Sequence, residues 1–142
     1  MKITAPLLSV LLTLILWPQT ATTQAQQKPE ELAQKSAEAW LALTDSGKYA
    51  DSWDQASSAF KAKVSRSMWV DQLTAVRGPF GKVVSRKLTA AQYKKSPPGA
   101  PEGEYVVVQY ATNFENKSDS VETVSLMLDK DTKWRTVGYF IK

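Results

Sequence analysis

The apolar residues of this chain change their spacing once, and that change divides the sequence into a helical part and a strand-forming part. From Pro29 to about Val76 they recur at the three- and four-residue steps of an amphipathic helix. From about Lys82 to the end they alternate, as they do in half-buried strands. Helices that precede strands, rather than alternating with them, predict an α+β fold with helices on one face of an antiparallel sheet.

Turn and capping residues divide the helical part into three predicted helices. The first begins at Pro29 and ends at Asp45-Ser-Gly47, the second follows from about Tyr49, and the third runs from an N-cap at Ser65 to Val76. The side chains expected to face inward are Ala33, Ala37, Trp40, Leu41 and Thr44, then Tyr49, Trp53, Ala56 and Phe60, and finally Met68, Trp69, Leu73 and Val76.

Four strands are predicted in the second part, and short polar turns join the last three. The expected strands are Lys82 to Leu88 (extending to about Tyr93), Glu104 to Phe114, Val121 to Leu128 and Trp134 to Ile141. Short turns predict an antiparallel meander. A curved sheet of about four strands that closes over three helices predicts a cystatin-like or nuclear-transport-factor-2-like cone with an internal hollow.

The first 25 residues have the three parts of a secretory signal. Lys2 precedes an apolar run from Leu7 to Trp17, and Thr23-Gln-Ala25 offers small residues at the cleavage site. The apolar run is about half of the ~20 residues that a membrane-spanning helix needs. We therefore expect export to the periplasm, cleavage after Ala25, a single domain over residues 26–142 and no stable membrane span after cleavage.

The residues that the chain lacks exclude several kinds of chemistry. It contains no Cys and no His, so it has no disulfide, no thiolate nucleophile, no lipoprotein anchor and no imidazole base or ligand. We predict no cofactor and no metal. The net charge of +4 is mild, and the chain lacks the stripe of basic and aromatic residues that would suggest nucleic-acid binding. The densest basic cluster, formed by Lys82, Arg86, Lys87, Lys94 and Lys95, suggests an anionic envelope polymer as one alternative partner.

Several segments of the chain together resemble a known family. They are Trp40 to Tyr49, Ser52-Trp53, Trp69, Arg77-Gly-Pro-Phe-Gly81, Ser85-Arg86, Pro101 to Tyr110, Glu122-Thr-Val and Trp134 to Lys142. This series is similar to the bacterial exported family catalogued as domain of unknown function 4019. The resemblance implies a Gram-negative periplasmic setting and a cone-shaped α+β fold, and it carries no activity with it.

Two tryptophans and two arginines are the first candidates for a binding site. Trp53 and Trp69 lie on apolar helix faces, where they either pack in the core or line the hollow and stack on an apolar ligand. Arg77 ends a helix, where the helix dipole favours a cation. If Arg86 converges with it, the pair could bind a carboxylate or phosphate.

Glu122 is the third kind of candidate, because it lies in a strand of otherwise apolar or small residues. A carboxylate there must be paired or face water, so we predict an ion pair between Glu122 and Arg86. Tyr110 and Tyr139 complete the candidate ligand-binding residues, with hydroxyls that either anchor the core or meet a ligand. No catalytic residue is assigned.

Three function classes remain open from the sequence. The first is a non-catalytic periplasmic module that binds a small apolar or anionic ligand or a protein partner of the envelope. The second is a cofactor-free lyase or isomerase with Glu122 or Asp54 as the base and Tyr49, Tyr110 or Tyr139 as the donor. The third is association with an anionic envelope polymer. An exposed edge strand would also allow two copies to form a dimer.

Overall fold

The computed structural model describes residues 26–142, and the predicted signal and cleavage site lie outside this range. The described chain forms four α-helices, one short 3-10 turn (Gly78–Phe80) and four strands. The helices are α1 (Pro29–Asp45), α2 (Tyr49–Asp54), α3 (Ser58–Lys63) and α4 (Arg66–Arg77). The strands are β1 (Val83–Lys95), β2 (Glu104–Phe114), β3 (Lys117–Leu128) and β4 (Trp134–Ile141). The predicted α+β class is confirmed.

The sheet is an open antiparallel meander in the order β1-β2-β3-β4, and the meander predicted for the last three strands is confirmed. The bounds of β2 and β4 agree with the prediction, whereas β1 continues to Lys95 and β3 begins at Lys117 rather than Val121. Between β3 and β4 the pairing passes from Ser125–Gly138 to Leu126–Thr136. The extra residue, Val137, forms a bulge beside the glycine that suggested one.

The helical part contains four helices rather than three, because the second predicted helix is split at Ser57. The Ser57 hydroxyl accepts a hydrogen bond from the backbone N–H of Phe60 at 3.1 Å and so caps α3. The Ser57 backbone N–H donates to the carbonyl of Thr136 on β4 at 2.8 Å. A residue whose N–H bonds a strand cannot continue α2, so the apolar spacing from Tyr49 to Phe60 runs across two separate helices.

The core lies between α1 and the inner face of the sheet, and its own side chains fill it. The predicted inward face of α1 is confirmed, since Ala33, Ala37, Trp40, Leu41 and Thr44 are all buried. Opposite this face lie the buried residues Val106, Val108, Val124 and Leu126 of the two central strands. Burial of this apolar surface is the main stabilising term of the fold, at about 25 cal/mol per Å².

On α4 the prediction was only half right. Trp69 and Leu73 are buried, but Met68 and Val76 are 54% and 49% exposed. Trp69, Leu73 and Arg77 follow one another at steps of four and form the single stripe that faces the core. Met68 and Val76 each precede a member of this stripe by one residue, which turns them about 100° away from it.

Asp129 connects the turn after β3 to the start of α3, and this contact makes folding sensitive to acid. Its carboxylate accepts hydrogen bonds from the backbone N–H and the hydroxyl of Ser58, both at 2.8 Å. The N–H of Ser58 is the main cause that lowers the pKa of Asp129 from its ordinary value of 3.8. A lowered folded pKa adds stability above the unfolded pKa, and this stability is lost as the pH falls through the folded pKa.

We therefore expect Asp129→Asn to lower the melting temperature at pH 7 and to have a smaller effect at pH 2.5, because the stability that the lowered pKa of Asp129 provides decreases as the pH falls below 3.8. Calorimetry of the two proteins at both pH values measures this. Asp119→Asn, on an exposed carboxylate of β3, serves as the control. An equal difference between wild type and Asp129→Asn at both pH values would contradict a role for the charged carboxylate.

Candidate functional site

A buried carboxylate lies at the centre of a polar cluster on the inner face of the sheet. Glu122 is on β3, opposite Tyr110 of β2, and its side chain is fully buried. It lies on the same face of β3 as Val124 and Leu126, which also point into the core. A charge in such surroundings is tolerated only where hydrogen bonds replace its hydration.

Four hydrogen bonds satisfy the Glu122 carboxylate. Arg86 of β1 donates from Nε to Oε2 at 2.7 Å and from Nη2 to Oε1 at 3.1 Å, which is the predicted ion pair. The hydroxyl of Thr112 donates to Oε2 at 2.6 Å, and the hydroxyl of Tyr139 donates to Oε1. A carboxylate has about four acceptor positions. Those of Glu122 are therefore occupied by groups of the protein itself.

Asp45 extends the cluster to the helices. Arg86 also donates to Asp45 from Nη1 at 2.7 Å and from Nη2 at 3.0 Å, and Arg77 donates from Nη2 at 3.2 Å. Asp45 is the last residue of α1, where the helix dipole disfavours a negative charge. The two guanidinium groups offset that cost, and the cluster of two acids and two bases is formally neutral.

Arg77 joins the end of α4 to the start of β1. Its side chain is 3% exposed, lies 4.4 Å from the ring centre of Phe114, and donates from Nη1 to the carbonyl of Gly81. Gly81 has φ of +76°, and a Cβ there would come within 2.9 Å of a carboxylate oxygen of Glu115. A glycine is therefore required at this turn. We call Asp45, Arg77, Arg86, Thr112, Glu122 and Tyr139 the buried charge cluster.

Burial and charge shift the ionisation of three groups in or beside the cluster. Burial lowers the pKa of Arg86, but hydrogen bonds to Asp45 and Glu122 outweigh this and raise it overall. Burial, then the charge and hydrogen bond of Glu122, raise the pKa of Tyr139. Burial raises the pKa of Tyr110 to about 12, with a smaller contribution from Glu38. At neutral pH both tyrosines are therefore neutral hydroxyls and Arg86 is a cation.

The structure brings together four of the seven predicted ligand-binding residues, and a fifth lies beside them. Arg77, Arg86, Glu122 and Tyr139 belong to the buried charge cluster. Tyr110 is buried next to Glu122, and its hydroxyl has no hydrogen-bond partner within residues 26–142. Asp45 and Thr112 were not predicted as site residues, because in the sequence Asp45 is typical of a turn and Thr112 of a strand.

The two predicted tryptophans lie elsewhere, among the helices. Trp69 is buried, and its indole N–H donates to the hydroxyl of Ser52 at 2.9 Å. Trp53 is half-buried, and its N–H donates to the carbonyl of Val64 at 2.7 Å. Both rings therefore serve the packing of α2, α3 and α4.

The cluster meets one geometric condition for acid–base chemistry and lacks another. Glu122 contacts the hydroxyl of Tyr139, as a base and its donor would. However, the acceptor positions of Glu122 are filled. Asp54, the other proposed base, is exposed and pairs with Arg66 at 3.1 Å. The lysines of the basic surface cluster are exposed on or beside β1, whereas Arg86 points into the core, so the envelope-polymer prediction rests on the lysines alone.

A groove of about 950 Å³, to whose lining no member of the cluster belongs, lies between α1 and the adjoining ends of β3 and β4. Its apolar surface is formed by Leu32, Trp40, Leu43, Leu128 and Trp134. Its volume is within the range of about 300–1,000 Å³ that small-molecule sites occupy. This groove could not be predicted from the sequence, because its two walls are about 90 residues apart along the chain and no motif marks either wall.

Comparison with protein families matches residues 36–139 to a family described as protein of unknown function (DUF4019). The chain belongs to the DUF4019 family. All six residues of the buried charge cluster lie within the DUF4019 match, whereas Lys28, Pro29 and Leu32 of the groove precede it. A search of curated proteins finds no match.

Two features are absent from the described part of this DUF4019 protein. Among residues 26–142, no helix combines the length and the apolar character that crossing a bilayer requires. Over the same residues, no three acidic side chains lie close enough together to hold a metal ion.

Proposed function

We propose that this protein is an exported, non-catalytic binding module of the bacterial cell envelope, and that the groove between α1 and β4 holds its small ligand. The groove is the observation that carries the proposal. It joins two large aromatic side chains, Trp40 and Trp134, to several aliphatic ones in one concave surface. Such surfaces with few polar groups are typical of small-molecule sites. The buried charge cluster, in this view, holds the helices and sheet together.

The secretory pattern of residues 1–25 supports the export part of the proposal. We also propose the cystatin-like or nuclear-transport-factor-2-like type for the fold, because a long helix packs across a four-stranded antiparallel meander. An experimentally determined structure tests the fold type by the curvature of the sheet around α1.

Native mass spectrometry tests export and binding together, using protein from cells of a Gram-negative host that express the full chain. We expect a periplasmic protein whose mass corresponds to a chain beginning at Gln26, with a bound adduct that denaturation removes. A full-length cytoplasmic product would overturn export. A bare protein that also gains no adduct from a lipid and metabolite extract of the envelope would overturn ligand binding.

We expect Ala39→Trp to abolish the adduct, because Ala39 is an exposed residue of α1 that lines the groove. The larger side chain fills the groove without entering the core. Ala75→Trp, at an exposed position of α4 outside the groove, is the matched control and should keep the adduct. Equal adduct on both variants would mean that the ligand binds elsewhere.

A further inference from the structure

The groove is elongated, because its lining follows α1 from Pro29 to Leu43. At about 1.5 Å per residue, this part of the helix is about 21 Å long. The opposite wall, from Leu128 through Trp134 to Thr136, belongs to two neighbouring strands. A long apolar channel of this kind fits an extended hydrocarbon chain better than a compact ring. Each additional buried methylene group of such a chain tightens binding about fourfold.

The rim of the groove is basic. Lys28, Lys133 and Arg135 line it, against the single carboxylate of Glu104. Arg135 is already paired with Asp131. Lys28 and Lys133 form no ion pair within residues 26–142, so their charges are available to a ligand. An apolar channel with a cationic rim is complementary to an amphiphile with an anionic head.

A buried hydroxyl provides an independent indication of a polar ligand group. Thr136 is 3% exposed and lines the groove, and its Oγ1 has no hydrogen-bond partner in the described part of the chain. A buried polar group without a partner costs stability, because it has lost its hydration without gaining a hydrogen bond. A ligand oxygen that accepts a hydrogen bond from Thr136 removes that cost, so the groove is prepared for an oxygen-bearing head beside its apolar surface.

We propose, on the basis of the proposed function above, that the groove binds a single-chain fatty carboxylate. The hydrocarbon chain lies along α1 against Trp134, and the carboxylate accepts hydrogen bonds from the rim lysines and from Thr136. This assigns the ligand class of the site: a monomeric amphiphile with one chain and one negative charge.

The experiment compares three probes of equal chain length on the protein isolated from cells that express the full chain. The probes are dodecanoate, dodecanol and dodecyltrimethylammonium, each below its micelle concentration, and titration calorimetry measures binding. We expect dodecanoate to bind about tenfold more tightly than dodecanol, and the cation to bind more weakly than either. Ala39→Trp should abolish binding of all three. Leu32→Glu, at a 37% exposed groove position, provides a second blocking variant should Ala39→Trp fail to fold.

Three substitutions locate the head group. Lys28→Gln and Lys133→Gln should each weaken dodecanoate binding about three- to tenfold and leave dodecanol unaffected. Thr136→Val should also weaken dodecanoate binding, although it removes an unpaired hydroxyl and so leaves the free protein at least as stable. Lys94→Gln, an exposed lysine of β1 outside the groove, should change neither.

The possible failures can be told apart. Equal affinity for dodecanol and dodecanoate, both lost in Ala39→Trp, would overturn the fatty-carboxylate assignment and leave the proposed function intact. No binding of any probe and no adduct from the envelope extract would overturn both. A dimer that Ala39→Trp dissociates would mean that a second copy covers the groove, which also overturns the assignment.

Discussion

Replacing Glu122 by Gln is expected to destabilise the folded protein by about 3 kcal/mol, since removing one partner of a buried ion pair typically costs about 3–5 kcal/mol. The carboxylate is fully buried and accepts from Arg86, Thr112 and Tyr139. A glutamine has only one acceptor oxygen, and its amide group would face donors of the cluster. Arg86 keeps Asp45 as a partner, so the loss should lie at the lower end of the range.

Urea unfolding of wild type and Glu122→Gln measures this difference. Glu102→Gln, on an exposed carboxylate of the β1–β2 loop, is the control and should change stability by less than about 0.5 kcal/mol. A double-mutant cycle with Arg86→Met should give a coupling energy above about 1 kcal/mol, because the two side chains share hydrogen bonds. A loss below about 1 kcal/mol in Glu122→Gln would show that the carboxylate does not anchor the cluster.

The same variant separates a structural role of Glu122 from a catalytic one. A residue that holds α1, α4 and the sheet together through Asp45, Arg77 and Arg86 should affect unfolding strongly. A general base would instead need a free acceptor position facing a substrate. The groove is lined by neither Glu122 nor Tyr139, so ligand binding there should survive Glu122→Gln at temperatures where the variant remains folded.

The sequence predicted those parts of the fold that depend on local periodicity. The buried face of α1 and the bounds of β2 and β4 follow directly from the spacing of apolar residues. The split at Ser57 could not be predicted in this way, because it depends on a hydrogen bond to Thr136, a residue that is distant along the chain. The exposure of Met68 has a similar origin, since the packing of α4 decides which of its apolar residues are covered.

For the candidate sites, the sequence was informative where a single residue broke a pattern. The carboxylate of Glu122 stands alone in an apolar strand, and that conflict predicted its pairing with Arg86. Asp45 gave no such signal, because Asp before Ser-Gly is ordinary turn chemistry. No sequence pattern predicted the groove either, since its walls meet only after α1 has packed beside β4.

The second large effect is expected at Trp40, where substitution by Ala should destabilise the protein by about 3–5 kcal/mol. The ring is 4% exposed and joins three parts of the molecule. It packs against Trp69 and Tyr139 at centroid distances of 6.1 and 5.2 Å, and its N–H donates to the carbonyl of Ser52 at 2.8 Å. Alanine would leave a cavity and an unpaired carbonyl at the centre of the core.

A smaller change at Trp40 and a control substitution on α4 test this assignment of the core. Trp40→Phe keeps an aromatic ring but loses the hydrogen bond to Ser52, so it should cost about 1–3 kcal/mol. Met68→Ala, at the 54% exposed position that the apolar spacing alone would place in the core, should cost less than about 0.5 kcal/mol. If Met68→Ala and Trp40→Ala had similar effects on urea unfolding, α4 would pack through a different face and the assignment of the core would be wrong.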